Sequence, residues 1–128
     1  MRTLVIGSLV AAALGMLSQK ALAGPWEDGM AAYNRGDYVP AVQVFHGMAR
    51  AGNAKAQMML GAMYQRGQGV AKSSAHAFMW LSLAASRGDA QARDELKTVS
   101  ATMTPEDVAR ANAMMQACET SEYRNCEY

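Results

Sequence analysis

The sequence predicts an all-α protein: a short solenoid of helix hairpins with a C-terminal capping helix. Residues 56–92 carry small and large apolar residues at helical spacing on both sides of a glycine-rich turn. Parts of this pattern recur along the chain at a nearly fixed interval, as they do in repeat proteins. No segment alternates apolar and polar residues as a half-buried strand would. We therefore expect stacked pairs of helices.

The predicted helices follow one another with short connections. Pro40 falls in the first turn of the second helix, where its missing N–H costs little. The last helix has a clear start, because Thr104 is a good N-cap and Pro105 suits the first helical position. The predicted ranges are Trp26 to Arg35, Tyr38 to Ala51, Ala54 to Arg66, Ser73 to Arg87, Asp89 to Ala101 and Pro105 to Ala117.

The central hairpin carries the most specific pattern. Small residues stand where two helix backbones must approach closely, and large ones fill the remaining space. Gly67 and Gly69 allow the positive φ angles of a tight turn, and Gly88 offers the same stop to the second helix. The positions are Ala56, Leu60, Gly61, Tyr64, Gly67, Gly69, Val70, Ala77, Trp80, Ala84, Ala85, Gly88 and Ala92.

At these positions the chain resembles one complete Sel-1-like repeat, an α/α relative of the tetratricopeptide repeat. The resemblance covers about a third of the chain and implies a solenoid of helix hairpins. The family's usual acidic residue after the turn is missing, because Lys72 is followed by Ser73. A serine hydroxyl can still accept a first-turn N–H, so we interpret the difference as an altered helix start.

Weaker copies flank this repeat. A shift of 36 residues superposes eight positions, among them Ala41 on Ala77 and Gly52 on Gly88. Upstream the shift becomes 31, so the turn of the first copy is five residues shorter. The predicted organisation is a signal peptide at 1–23 and a repeat domain at 24–128. That domain divides into repeats at about 25–53 and 54–88, a partial repeat at 89–101, and a capping helix with a disulfide tail at 104–128.

The N-terminal segment has the features of an export signal. Arg2 precedes an apolar run from Leu4 to Leu17. Ala21 and Ala23 are the small residues of an A-x-A pattern, which predicts cleavage after Ala23. The run of 14 residues is shorter than a bilayer span requires. Cleavage after Ala23 lowers the formal net charge from +1 to −1 by removing Arg2 and Lys20. We expect a periplasmic or secreted protein without nucleic-acid partners or stable membrane insertion.

Two cysteines, Cys118 and Cys126, lie near the C-terminus with seven residues between them. In an exported protein, an even count and this short spacing favour a disulfide. A redox function is disfavoured because the spacing is not C-x-x-C and no βαβ pattern surrounds it.

No catalytic or metal-binding pattern is evident, so we predict no enzymatic activity and no cofactor. His46 and His76 stand apart and are interpreted as surface or groove residues. Nine methionines remain after residue 23. Six of them offer soft ligands for Cu(I), although helical methionines more often fill cores or pad binding surfaces. The six are Met58, Met59, Met63, Met79, Met114 and Met115.

The leading hypothesis is an exported, non-enzymatic Sel-1-like adaptor that binds a protein or peptide on its concave face. In such a solenoid the first helix of each hairpin lines the concave surface. Ala62 is expected to face the same groove. The alternatives are a cell-envelope hydrolase or peptidoglycan-associated accessory protein, methionine-based metal binding, and self-association as a homodimer. The predicted partner-binding residues are Asn34, Arg35, Lys55, Met58, Gln65, Arg66, Asp94 and Thr98.

Overall fold

The computed structural model describes residues 24–126, which form six α-helices and, within that range, no strand. Every boundary lies within one residue of the predicted one, except that the last helix runs three residues further. The predicted signal peptide lies outside the described residues. The helices are α1 (Pro25–Asn34), α2 (Tyr38–Arg50), α3 (Ala54–Arg66), α4 (Ser74–Ser86), α5 (Ala90–Ser100) and α6 (Pro105–Thr120).

The helices stack as consecutive hairpins. α1 packs on α2 and α3 packs on α4, while α2 with α3 and α4 with α5 join neighbouring hairpins. The helix-hairpin solenoid predicted from the sequence is confirmed. We call α1, α3 and α5, the first helices of the successive hairpins, the inner helices.

α4 is the central helix of the array. Seven of its thirteen residues are buried, five are half-buried and only Ser86 is exposed. A helix that is apolar all round needs partners on every side. α3, α5 and α6 supply them, and the fully buried Trp80 and Leu83 belong to the largest core cluster.

α6, the helix predicted as a C-terminal cap, covers one side of α4. α6 packs mainly against α4, and Ala111, Met114 and Cys118 join the core formed by the first two hairpins. α5 is thus left as the last inner helix. Its outward residues, such as Gln91, Arg93 and Lys97, are polar and exposed, as the end of a repeat array requires.

Side-chain caps fix where the later helices begin. Asn53, Ser73 and Asp89 each accept the backbone N–H of the residue three positions on. Ser73 therefore does start its helix in place of the family's acidic residue. Thr104 and Asp107 form a reciprocal capping box at the start of α6.

The turn between α3 and α4 depends on two glycines. Gly67 (φ +67°) ends α3 in the left-handed conformation, and Gly69 (φ +73°) follows. A Cβ on Gly69 would lie 2.6 Å from the carbonyl oxygen of Tyr38. The turn therefore rests against the first residue of α2, and Tyr33 donates a hydrogen bond to the Gln68 side chain at 3.4 Å.

A disulfide between Cys118 and Cys126 closes the C-terminal tail, as the spacing predicted. The tail reaches the C-terminal ends of two helices. Arg50 of α2 donates to the carbonyl oxygens of Tyr123 and Arg124 at 3.3 and 3.2 Å. Arg87, just after α4, donates to the Tyr123 hydroxyl at 2.6 Å and lies over its ring. The tail therefore ties α6 to both earlier hairpins.

Candidate partner-binding cleft

A cleft of about 520 Å³, lined mainly by polar and charged residues, opens where the end of α3, the start of α4 and the second half of α5 meet. We call it the α3–α5 cleft. It lies at the junction of two consecutive inner helices, because α5 packs against the α3–α4 hairpin and partly against α3 itself. Its lining residues are Gln65, Arg66, Lys72, Ser74, Glu95, Thr98, Val99 and Thr102.

α5 and the turn that follows it contribute one stripe of residues to the α3–α5 cleft. Glu95, Thr98, Val99 and Thr102 follow the spacing of residues that share one face of a helix. Val99 is almost fully buried and belongs to the apolar cluster under the cleft. The Thr102 hydroxyl donates to the Val99 carbonyl at 2.9 Å, so its lone pairs remain available as acceptors. The stripe combines an apolar base with hydroxyl groups and one carboxylate.

The end of α3 supplies Gln65 and Arg66. Arg66 Nη2 lies 3.4 Å from Glu95 Oε1, which joins the two inner helices by one long contact. The Arg66 side chain is 49% exposed, whereas that of Glu95 is only 19% exposed. The guanidinium has five donors in a planar fork, and this contact uses only one of its nitrogens.

Gln65 carries a buried polar atom without a partner. Its Oε1 is shielded from solvent and accepts no hydrogen bond within residues 24–126. A buried acceptor left unsatisfied costs about 1–3 kcal/mol. Gln65 as a whole is half-buried and lines the cleft.

Three of the predicted partner-binding residues, Gln65, Arg66 and Thr98, meet in the α3–α5 cleft. Four others are exposed but lie away from it: Asn34, Arg35, Lys55 and Asp94. Arg35 pairs with Asp37 at 3.2 Å beyond the end of α1.

The expectation that Met58 and Ala62 project into an open groove was wrong. Met58 is 7% exposed and Ala62 is 4% exposed. α5 packs over this side of the α3–α4 hairpin, and Met58 joins Leu81 and Val99 in the second core cluster. The surface of α3 open to a partner is therefore narrower than helical spacing alone indicated.

Both histidines are half-buried and pack against aromatic rings. His46 meets Trp80 edge-on, with 6.0 Å between ring centroids. His76 stacks on Tyr64 at 4.7 Å, and its Nδ1 lies 2.7 Å from Ser73 Oγ. The same oxygen accepts the His76 backbone N–H at 3.2 Å. This serine–histidine contact belongs to the N-cap of α4, which explains its geometry without a catalytic role.

The six methionines listed above fill space in the core. Met58, Met63, Met79 and Met114 are buried, and Met59 and Met115 pack against the core clusters. Filling gaps in an apolar core is the more frequent role of methionines in helices. Within residues 24–126, no three or more His, Cys, Asp or Glu side chains are grouped to hold a metal ion.

Five cleft residues were not anticipated: Lys72, Ser74, Glu95, Val99 and Thr102. Glu95 and Thr102 lie three residues before and four after the predicted Thr98, so the helical stripe itself was a usable signal. Lys72 and Ser74 lie in and just after the α3–α4 turn, and no periodicity indicates which way a turn residue points.

Among residues 24–126, none of the helices combines the length and apolarity needed to cross a bilayer.

The stacked hairpins, with a polar cleft between consecutive inner helices, define a helical-repeat protein. The family model of the Sel1 repeat matches residues 54–89, from the start of α3 to the turn after α4. These residues form one Sel1 repeat, a type of helical repeat that typically mediates protein interactions. Searches of curated proteins and of solved structures found no match.

Proposed function

We propose that the protein is an exported, non-enzymatic adaptor that binds a protein or peptide partner in the bacterial envelope or outside the cell. The Sel1 repeat supports an interaction role. The Cys118–Cys126 disulfide supports an oxidising compartment, because thiols stay reduced in the cytosol. The predicted signal peptide supplies the export route.

The α3–α5 cleft is the observation that carries this proposal. It gathers Gln65, Arg66 and Thr98, three residues that the repeat pattern assigned to the inner helices. Its sides come from separate hairpins, so the array must be stacked for the cleft to exist. Hydroxyl, amide and charged groups over an apolar base suit a peptide, which offers backbone amides and side chains together.

The test is to block the cleft without unfolding the array. Thr98→Trp places a large ring in the cleft, and Ser100→Trp places the same ring on an exposed position of α5 that does not line it. Both variants and the parent are used for capture from periplasmic extract, followed by mass spectrometry. We expect a stoichiometric protein captured by the parent and by Ser100→Trp but not by Thr98→Trp.

Two outcomes would contradict the proposal. Equal capture by both tryptophan variants would show that the cleft is not the binding site. Recovery of glycan fragments in place of a protein would favour the peptidoglycan-associated alternative.

A further inference from the structure

We propose that the α3–α5 cleft recognises a carboxylate group of its partner peptide, bound by Arg66 and Lys72. The inference rests on the proposed function and specifies the chemistry of the ligand. A peptide offers a carboxylate either at its C-terminus or on an acidic side chain, and both present the same group to the cleft.

The first argument is the charge of the lining. Two cations, Arg66 and Lys72, face one carboxylate, Glu95. Lys72 forms no salt bridge with any carboxylate of residues 24–126. Arg66 meets Glu95 through a single nitrogen at 3.4 Å, which leaves the bidentate geometry that guanidinium groups favour unused. The cleft therefore has more positive charge and more hydrogen-bond donors than the contacts among residues 24–126 use.

The second argument is the unsatisfied amide of Gln65. Its Oε1 needs a donor that residues 24–126 do not supply. A backbone N–H next to a bound carboxylate provides such a donor once the amide rotates. The hydroxyl groups of Ser74 and Thr98 line the same cleft and can serve as donors or acceptors. This combination favours a carboxylate attached to a peptide over a simple inorganic anion.

Glu95 acts as the internal competitor of this ligand. Because it already contacts Arg66, an incoming carboxylate must share the guanidinium with it or displace it. Removal of the Glu95 charge should therefore strengthen binding, whereas removal of a purely structural ion pair would not. This opposite sign distinguishes ligand recognition from a role of the pair in stability.

The first measurement uses three peptides as probes on the ¹⁵N-labelled protein. They are N-acetyl-tetra-alanine with a free C-terminal carboxylate, the same peptide amidated, and an amidated version with one alanine replaced by glutamate. Amide shifts of Gln65, Thr98 and Thr102 are followed at millimolar peptide. We expect shifts with at least one carboxylate peptide, which identifies the source of the group, and none with the neutral amide. Equal shifts with the neutral amide, or no shifts at all, would overturn the proposal.

The second measurement uses charge variants with the carboxylate peptide that binds. We expect Arg66→Gln and Lys72→Gln each to weaken binding by about fivefold or more. Glu95→Gln should tighten it, and added salt should weaken it. Arg93→Gln, which removes an exposed charge from α5 outside the cleft, is the matched control and should change nothing. Weaker binding by Glu95→Gln would count against the competitor argument and so against the proposal.

Partner capture separates this inference from the proposed function. If Thr98→Trp abolishes capture while Arg66→Gln and Lys72→Gln retain it, the cleft binds its partner without using a carboxylate, and only the inference fails. If Thr98→Trp leaves capture intact, the cleft is not the site and both fail. Circular dichroism of each variant confirms that the helices are still formed.

Discussion

Gly61 of α3 lies directly beneath Leu81 of α4: a Cβ atom at position 61 would lie 2.7 Å from Leu81 Cγ and 3.2 Å from the carbonyl oxygen of Ala77. Leu81 is fully buried, so its side chain has little freedom to move away. The first hairpin repeats the arrangement, because a Cβ on Gly29 would lie 2.8 Å from the ring of Phe45. In both hairpins a glycine lets a large residue of the second helix approach the first.

Gly61→Ala should therefore destabilise the protein by about 1–3 kcal/mol, the usual cost of overpacking a core. Gly47 in α2 is the matched control, since a Cβ there would meet nothing within 4 Å. Gly47→Ala should stabilise the protein by about 0.5–1 kcal/mol, because alanine favours a helix interior more than glycine does. Thermal unfolding of the two variants should shift Tm in opposite directions. Shifts of the same sign would contradict the packing described here.

Local features of the fold could be predicted from the sequence because they depend on neighbouring residues. Helix bounds follow from capping residues such as Ser73 and Thr104, whose side chains accept N–H groups three residues on. α3 ends at Gly67, because glycine adopts the left-handed conformation without a steric cost. The disulfide followed from the short spacing of the two cysteines.

The packing between hairpins could not be predicted in the same way. Helical spacing shows which residues share a face of α3, but not how much of that face α5 covers, and so Met58 was wrongly expected to be open. Likewise, the sequence predicted a capping helix from Pro105 to Ala117 without showing that it packs on α4. For this reason five of the eight residues that line the α3–α5 cleft were missed. The contribution of Lys72 depends on the path of a turn.

Gln57 offers a test of polar burial in the core. It is fully buried at the α2–α3 junction, where Nε2 donates to the Ala49 carbonyl at 3.1 Å and Oε1 has no partner among residues 24–126. The Ala49 oxygen also accepts the Gly52 N–H, so it stays satisfied without Gln57. Gln57→Met, which keeps the volume and removes the unsatisfied acceptor, should raise stability by about 1 kcal/mol. A lower denaturation midpoint for this variant would mean that Oε1 has a partner, such as a buried water.

The disulfide tail should contribute measurably to stability. Closing a loop of this length stabilises the folded chain by about 2.5 kcal/mol on the chain-entropy model. The double variant Cys118→Ser, Cys126→Ser should therefore lower the free energy of unfolding by about that amount. Tyr123→Phe, which loses only the hydrogen bond from Arg87, should cost about 1 kcal/mol. An unchanged Tm after reduction of the parent protein would show that the tail is not needed to hold α6.

Export should yield a protein that begins at Gly24. The predicted cleavage after Ala23 places the new N-terminus at the N-cap of α1, one residue before Pro25. The cut therefore leaves every described helix intact. Intact-mass measurement of protein recovered from the periplasm or medium should give residues 24–128 with no alkylatable thiol. A retained leader would contradict the export prediction, and reactive cysteines would contradict the disulfide.

The inner helices offer two separate sets of exposed residues, and only one should bind the partner. Gln65 and Arg66 line the α3–α5 cleft, whereas Asn34 and Arg35 lie at the end of α1 outside it. None of the four is fully buried, so truncating either pair should change Tm little. The double variant Gln65→Ala, Arg66→Ala should lose most partner capture. Asn34→Ala, Arg35→Ala should retain it if binding is confined to the cleft. Loss of capture in both variants would show that the partner spans α1 and α3, and loss only in the α1 variant would place the binding surface on the first hairpin.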